Sequence, residues 1–172
     1  QKVIPIIIDS SSIANTFEYS HYKGLSEDVI ASIKFLAQSV NGLEDEDTRL
    51  TSRLFIPTKR LRGFNTRKVG PKDGENYIGG NYVSAVSIEA SLPNLLPESS
   101  KTDVSVFFDT ANVWHVDYDS TIDDTNELRS SVGVAANVWT PVGPLSWTFS
   151  QDIAKAKSDK TESVNFRLGT SF

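Results

Sequence analysis

Cysteine is absent from this 172-residue chain. That excludes a disulfide framework and any thiol-based nucleophile or metal site, and it suits a compartment in which stray thiols would be oxidised. Histidine occurs only as His21 and His115, on separate predicted strands without metal-ligand spacing. No serine stands in a nucleophile-elbow context. No apolar run reaches about 18 residues, so no transmembrane helix is expected, and because Gln1 opens directly onto a strand-like stretch no signal peptide is expected within the chain. An excess of positive charge is also missing. The net charge of −5 gives a nucleic-acid partner no electrostatic support. The expectation is a protein with no catalytic residue, no metal and no cofactor, and not an enzyme.

What is present is alternation with a period of two. Along Ser12–Tyr22, Ile13, Phe17 and Tyr19 oppose Thr16, Glu18 and Ser20. Along Asp28–Val40 the odd positions Val29, Ala31, Ile33, Phe35 and Ala37 are apolar, with Ser32, Lys34 and Gln38 opposite. Tyr82–Leu92 sets Tyr82, Val86, Ile88 and Leu92 against Ala85, Ser87, Glu89 and Ser91, and Asp103–Val116 sets Val104, Val106, Phe108 and Trp114 against Ser105, Asp109 and Ala111. Val132, Val134, Ala136 and Val138 oppose Ser131, Gly133 and Asn137; Leu145, Trp147 and Phe149 oppose Ser146, Thr148 and Ser150. At the end, Val164, Phe166, Leu168 and Phe172 oppose Asn165, Arg167, Gly169 and Ser171. With Lys2–Ile8 in front this predicts eight strands, most of them long enough to cross a bilayer at a tilt.

The polar faces carry Ser, Thr, Asn, Gly and Ala with a few isolated charges, whereas the outward faces of soluble sheets usually carry many Lys and Glu. Small polar residues opposite branched and aromatic ones fit a wet lumen inside a lipid-facing wall. An apolar content of 38% excludes neither arrangement, because alternation dilutes the hydrophobicity of a membrane barrel. Trp114, Trp147, Tyr19, Tyr82 and Phe172 fall near strand ends or on outer faces, as aromatic girdles would; in a soluble sandwich they would instead be core. Short connections (Lys23–Glu27, Pro93–Ser100, Pro141–Gly143) alternate with long ones (Tyr118–Leu128, Ile153–Lys160), and the longest runs from about Asn41 to Gly80. Arg53–Pro57 is a candidate for a short extra strand within it. The acidic run Glu44-Asp45-Glu46-Asp47 reads as a solvated part of that loop.

Three glycine clusters stand in the long loop: Leu61-Arg62-Gly63-Phe64, Val69-Gly70-Pro71-Lys72 and Ile78-Gly79-Gly80-Asn81. In that order before a strand, they resemble the sixth extracellular loop of the BamA family of outer-membrane assembly proteins, also called the bacterial surface antigen family. Phe107-Phe108-Asp109-Thr110-Ala111-Asn112-Val113-Trp114 resembles that family's F-x-D-x-G-x-V-W strand, with Ala111 in place of the usual glycine. Arg129-Ser130-Ser131-Val132-Gly133 through Trp139-Thr140-Pro141-Val142-Gly143-Pro144-Leu145 resembles its R-x-S-x-G…W-x-S-P-x-G-P-L hairpin. Phe166-Arg167-Leu168-Gly169-Thr170-Ser171-Phe172 resembles its closing strand.

The resemblance implies an all-β, antiparallel transmembrane β-barrel of sixteen strands. This chain would supply about eight C-terminal strands, as a fragment without the periplasmic domains and the first strands. The long loop would fold into the lumen. There Arg62, in Arg62-Gly63-Phe64, would be held by Glu89 and Asp109, two lone carboxylates that alternation places on the lumen faces of neighbouring strands. Such a latch agrees with the physics, since a guanidinium folded into a barrel needs acceptors; the alternative leaves Arg62 as one more solvated loop cation beside Lys59, Arg60, Arg67 and Lys68. Carboxylates engaged by a cation are also poorly suited to act as a general acid. The closing strand, with Phe166, Leu168, Gly169 and Phe172, would form one side of a seam.

The implied function is folding and insertion of other outer-membrane β-barrel proteins. The implied partners are unfolded barrel clients, outer-membrane lipid and accessory lipoproteins bound through the periplasmic domains. The competing readings are a two-partner-secretion or translocation pore of the same barrel family, a small stand-alone outer-membrane barrel with a binding role, and a soluble secreted sandwich.

Overall fold

A computed structural model describes residues 6–9, 12–43, 46–117, 119–122, 126–141 and 143–168. Among them, ten strands follow in chain order: β1 (Ile6–Asp9), β2 (Ser12–Ser26), β3 (Val29–Gly42), β4 (Lys72–Asp73), β5 (Asn76–Tyr77), β6 (Tyr82–Leu92), β7 (Thr102–Trp114), β8 (Arg129–Thr140), β9 (Gly143–Ala154) and β10 (Val164–Leu168). Eight of them form one antiparallel sheet in the order β1-β2-β3-β6-β7-β8-β9-β10, and β4 and β5 make a separate two-stranded hairpin. Strands adjacent in the sheet are adjacent in the chain, apart from the long loop between β3 and β6. Among the described residues β1 and β10 are unpaired edges, so the sheet is open.

Cross-strand register fixes which side chains share a face. Gln38 pairs with Val83, Leu36 with Ala85, and Ser32 with Glu89; Ala111 pairs with Ala85 and with Arg129; Gly133 pairs with Phe107 and with Ser150. These residues form the inner face, and the long loop packs on it. The hydrophobic core lies between the two: Ile56, Leu61, Phe64 and Val69 from the loop pack with Leu36, Val83, Ala85, Ala111 and Val113 from the sheet.

The opposite, outer face exposes Tyr19, Ile33, Ile88, Val106, Phe108, Val132, Val134, Trp147, Phe149, Val164 and Phe166. A soluble monomer rarely leaves so continuous an apolar surface uncovered. Tyr82 and Trp114 pair in register on this face at the long-loop end, their rings 5.8 Å apart. Trp147 meets Phe166 at 4.5 Å. Tyr19 sits mid-strand opposite Phe35, not at a strand end.

The long connections, 43–81, 115–128 and 155–163, leave one end of the sheet, where β1 also meets β2, and the shorter β2–β3, β6–β7 and β8–β9 connections lie at the other. Several expected boundaries move. The connection expected at Lys23–Glu27 is a turn at Glu27–Asp28, because β2 continues to Ser26 through a register shift between Gly24 and Ser26. Of the front strand expected at Lys2–Ile8, Ile6–Ile8 is seen within a strand that runs on to Asp9, and residues 2–5 lie outside the described residues. The strand expected to reach Val116 stops at Trp114, where His115 takes a positive φ of 68°. Arg53–Pro57 is not a strand: only Leu54 bridges, to Gly80. Pro57 has no amide to extend a ladder, and a 3-10 turn at Thr58–Arg60 follows it. The closing strand expected over Glu162–Phe172 is seen as Val164–Leu168, and Gly169 and Phe172 lie outside the described residues.

Candidate functional site

Glu89 and Asp109 reach the same point because β6 and β7 pair Ser87 with Asp109 and Glu89 with Phe107. The two carboxylates are therefore diagonal neighbours on one face, near enough for long side chains to meet. Arg62 descends from the loop between them. Its Nε donates to Asp109 Oδ2 at 2.8 Å and its Nη2 to Asp109 Oδ1 at 2.9 Å, while Nη1 donates to Glu89 Oε2 at 2.8 Å. The Arg62 backbone N–H donates to the same Asp109 at 3.0 Å. Two parallel N–H···O bonds to one carboxylate are the strongest and most directional form of this pair. The Asp109 side chain is fully buried, so water offers its charge no alternative.

The surrounding residues hold the guanidinium in place. Its carbon lies 3.6 Å from the centroid of the Phe107 ring, a stacking that adds to the charge pairing. The Ser131 hydroxyl donates to the Arg62 carbonyl. Gly63 turns the chain with φ +89°, and a Cβ there would come within 2.7 Å of Ser150 Oγ. Gly133 matters for a different reason: a Cβ at that position would stand 2.6 Å from the Phe107 ring and 2.2 Å from the Phe149 carbonyl oxygen. The period-two motifs of β7 and β8 are thus the footprint of the loop on the sheet. Phe107, Asp109 and Ala111 touch it from β7, and Arg129, Ser131 and Gly133 support it from β8. Ala111 fits against the loop within the core, so the usual glycine is not required for the loop to lie there.

Two further ion pairs stand at the long-connection end, one of them made by the loop's Arg53 and the other between β8 and the β9–β10 connection, and neither was foreseen from the sequence. The Arg53 guanidinium, fully buried, donates to Asp117, to Asn81 Oδ1 at 2.8 Å and to the Thr48 carbonyl at 3.1 Å. Partial burial alone would push the Asp117 carboxyl up. The hydrogen bonds from Thr48, Asn81 and Arg53 outweigh that and hold it well below the usual carboxylate range. Arg129 Nε donates to Asp159 Oδ2 at 2.8 Å, with both side chains at 0% exposure. Arg129 Nη1 also donates to Asn112 Oδ1 at 2.7 Å and to the Glu127 carbonyl at 2.6 Å. Asp159 accepts in addition from the backbone N–H of Ala156 at 2.8 Å and of Gly70 at 3.2 Å.

Of the residues singled out in the sequence, Arg62, Gly63, Phe64, Glu89 and Asp109 come together at one place. Phe166 and Leu168 do not join them; they lie on the exposed outer face of β10. Phe107 had no assigned partner in the sequence, although its odd position in β7 marked the inner face. Arg129 carried the same signal. Asp159 carried none, because Ser158-Asp159-Lys160 reads as an ordinary polar connection.

Compared with known proteins, residues 6–172 match the Omp85 superfamily domain. A protein of Neorickettsia risticii (strain Illinois) described as outer membrane protein assembly factor BamA is 27% identical over 150 residues, which are 85% of this chain and 20% of that protein. One of the same description from Neisseria meningitidis serogroup B is 28% identical over 142 residues, 65% of this chain and 17% of that protein. The crystal structure of BamA from Haemophilus ducreyi lacking POTRA domains 1-3 superposes with a TM-score of 0.80 at 24% identity, over 92% of this chain and 35% of that one. That likeness shows the fold: the sheet is a wall of the same kind as in that barrel. The chain spans no more than a fifth of the length of the two curated relatives.

Proposed function

The chain belongs to the Omp85 superfamily, and from that premise we propose that it is the closing part of the barrel of an outer-membrane assembly factor, whose parent protein folds and inserts other β-barrel proteins through a lateral seam. The observation that carries the reading is an asymmetry within one sheet. The inner face is fixed by the latched loop, while the last strand, among the described residues, is hydrogen-bonded to β9 alone.

A client strand entering lipid must satisfy its backbone N–H and C=O groups, at a cost of several kcal/mol for each one left unpaired. The free edge of β10 offers those partners, which is strand addition to an exposed sheet edge. The wall that bears this edge must stay folded while the edge is open, and the Arg62–Asp109–Glu89 latch supplies a rigid inner support for it. In this reading the site acts mechanically through charge pairing, and the outer face, with Val106, Phe108, Val134 and Phe149 exposed, lies against lipid in the outer membrane. The partners are unfolded barrel clients, together with accessory lipoproteins held elsewhere on the parent.

The test is reconstitution of the full-length parent in lipid vesicles, followed by addition of an unfolded outer-membrane barrel. The expected result is accelerated appearance of the client's heat-modifiable folded band over empty vesicles. A parent that leaves client folding unchanged but carries a soluble secreted protein across the bilayer would contradict the proposal in favour of a translocation pore.

A further inference from the structure

The connection from β9 into β10 is hydrogen-bonded to the lumen loop along its length. The backbone N–H of Asn65 donates to the Lys160 carbonyl at 2.9 Å, Lys160 N–H to the Lys68 carbonyl at 3.0 Å, and Glu162 N–H to the Gly63 carbonyl at 3.0 Å. Phe64 and Thr161 form an antiparallel bridge between these ladder bonds. The Tyr77 hydroxyl, from the small hairpin of the same loop, donates to the Ser158 carbonyl. Immediately before the ladder sits Asp159, wholly buried against Arg129 and accepting from Gly70 of the loop.

Beyond the ladder the character of the chain changes. The strand β10 pairs only with β9, from Val164 opposite Phe149 to Leu168 opposite Leu145. Val164, Phe166 and Leu168 project their side chains outward. One end of this strand is therefore tied to the loop by backbone bonds on both sides of residue 161 and by the Gly70–Asp159 bond, and to β8 by the buried Arg129–Asp159 pair, whereas Val164–Leu168 have β9 as their one neighbour among the described residues.

We infer that the lumen loop anchors the start of the closing strand, with Asp159 as the positioning residue, so that the seam parts only from the Leu168 end while Lys160–Glu162 stay in place throughout the working cycle. The inference rests on the reading of β10 as one side of the seam. It gives the loop a second role, since besides bracing the wall the loop fixes one end of the edge on which a client strand is templated. A template with one fixed end keeps its register, and register decides which face of the client meets lipid.

The experiment uses the full-length parent carrying Asn65→Cys and Lys160→Cys, reconstituted in vesicles of phosphatidylethanolamine and phosphatidylglycerol. This chain has no cysteine of its own to interfere. The two positions face each other across the ladder and are suited to bridging, which needs Cα atoms within about 7 Å. The probe is an unfolded outer-membrane barrel diluted from urea. Equal rates of client insertion by the oxidised and reduced forms are expected. An oxidised form that is inactive and is restored by reductant would overturn the inference, because the anchor would then have to release.

If the variant folds but inserts clients in neither state, the assembly-factor reading fails, and amide exchange decides the anchor separately. Slow exchange over 159–163 with fast exchange over 164–168 supports it. Uniformly fast exchange over 159–168 overturns it. Asp159→Asn should raise exchange several-fold over 159–163 while leaving residues 105–113 protected; no change over 159–163 in the folded variant would also overturn the positioning role.

Discussion

The two faces of the sheet obey different rules. On the outer face, Val106, Phe108, Val132, Val134, Phe149 and Phe166 need only be apolar, since lipid has no shape for them to match. On the inner face, particular residues are required at particular registers: Asp109 to grip Arg62, Phe107 to stack on it, Gly133 to make room for Phe107, and Arg129 to meet Asp159. The same alternating pattern thus encodes a generic surface at one parity and a specific one at the other. Mutations should separate the faces cleanly.

The largest expected effect is at the wholly buried pair. Removing one partner, as in Asp159→Ala or Arg129→Ala, strands the other charge and should cost about 3–5 kcal/mol. It would be read as a lower temperature at which the folded parent loses its compact band on gels. Next comes Arg62→Lys, which keeps the charge but loses the two-oxygen grip on Asp109 and the stacking on Phe107. A loss of about 1.5–3 kcal/mol is expected, with the long loop becoming cleavable by protease added to intact cells. Gly133→Ala should cost about 1–3 kcal/mol, because the added methyl meets a backbone carbonyl that cannot yield.

Acid should produce a smaller, graded change at the long-connection end. Asp117 is held below its ordinary range in the folded protein. Its contribution is therefore complete above the unfolded aspartate pKa of about 3.9 and is lost as pH falls from there towards the lower folded value. Below about pH 4, amide exchange around Thr48 and Asn81 should rise, and Asp117→Asn should flatten that dependence. The smallest effect belongs to the outer face. Val134→Ile or Phe149→Leu should change stability by no more than about 0.5 kcal/mol; a loss as large as that of Gly133→Ala would break the comparison between the faces.

The strands and the assignment of faces were legible because a period of two survives in the sequence whatever surrounds it. Glu89 and Asp109 were legible because isolated charges on otherwise small, polar faces have little reason to be there without a partner; Arg62, one loop cation among several, was singled out by the resemblance of Arg62-Gly63-Phe64 to the family's loop. Phe107 was not, since a simple apolar-out rule has no place for an aromatic on the lumen side; its role depends on a loop more than forty residues earlier in the chain. Asp159 and Asp117 were hidden for the same reason. Each looks like an ordinary acid in a polar connection, and only the folded arrangement brings Arg129 and Arg53 to them. Boundaries were missed where polar residues continue a strand, as at Lys23–Ser26, or where an unusual φ ends one, as at His115.

The most direct measurement is disulfide formation in the full-length parent carrying Arg62→Cys and Asp109→Cys, in intact outer membranes. The Arg62 backbone N–H lies 3.0 Å from the Asp109 carboxylate, so mild oxidation should cross-link the pair efficiently, with neither thiol labelled from outside. A folded, membrane-inserted protein in which both thiols remain free, and residue 62 reacts with an impermeant reagent added to cells, would contradict a loop held inside the barrel.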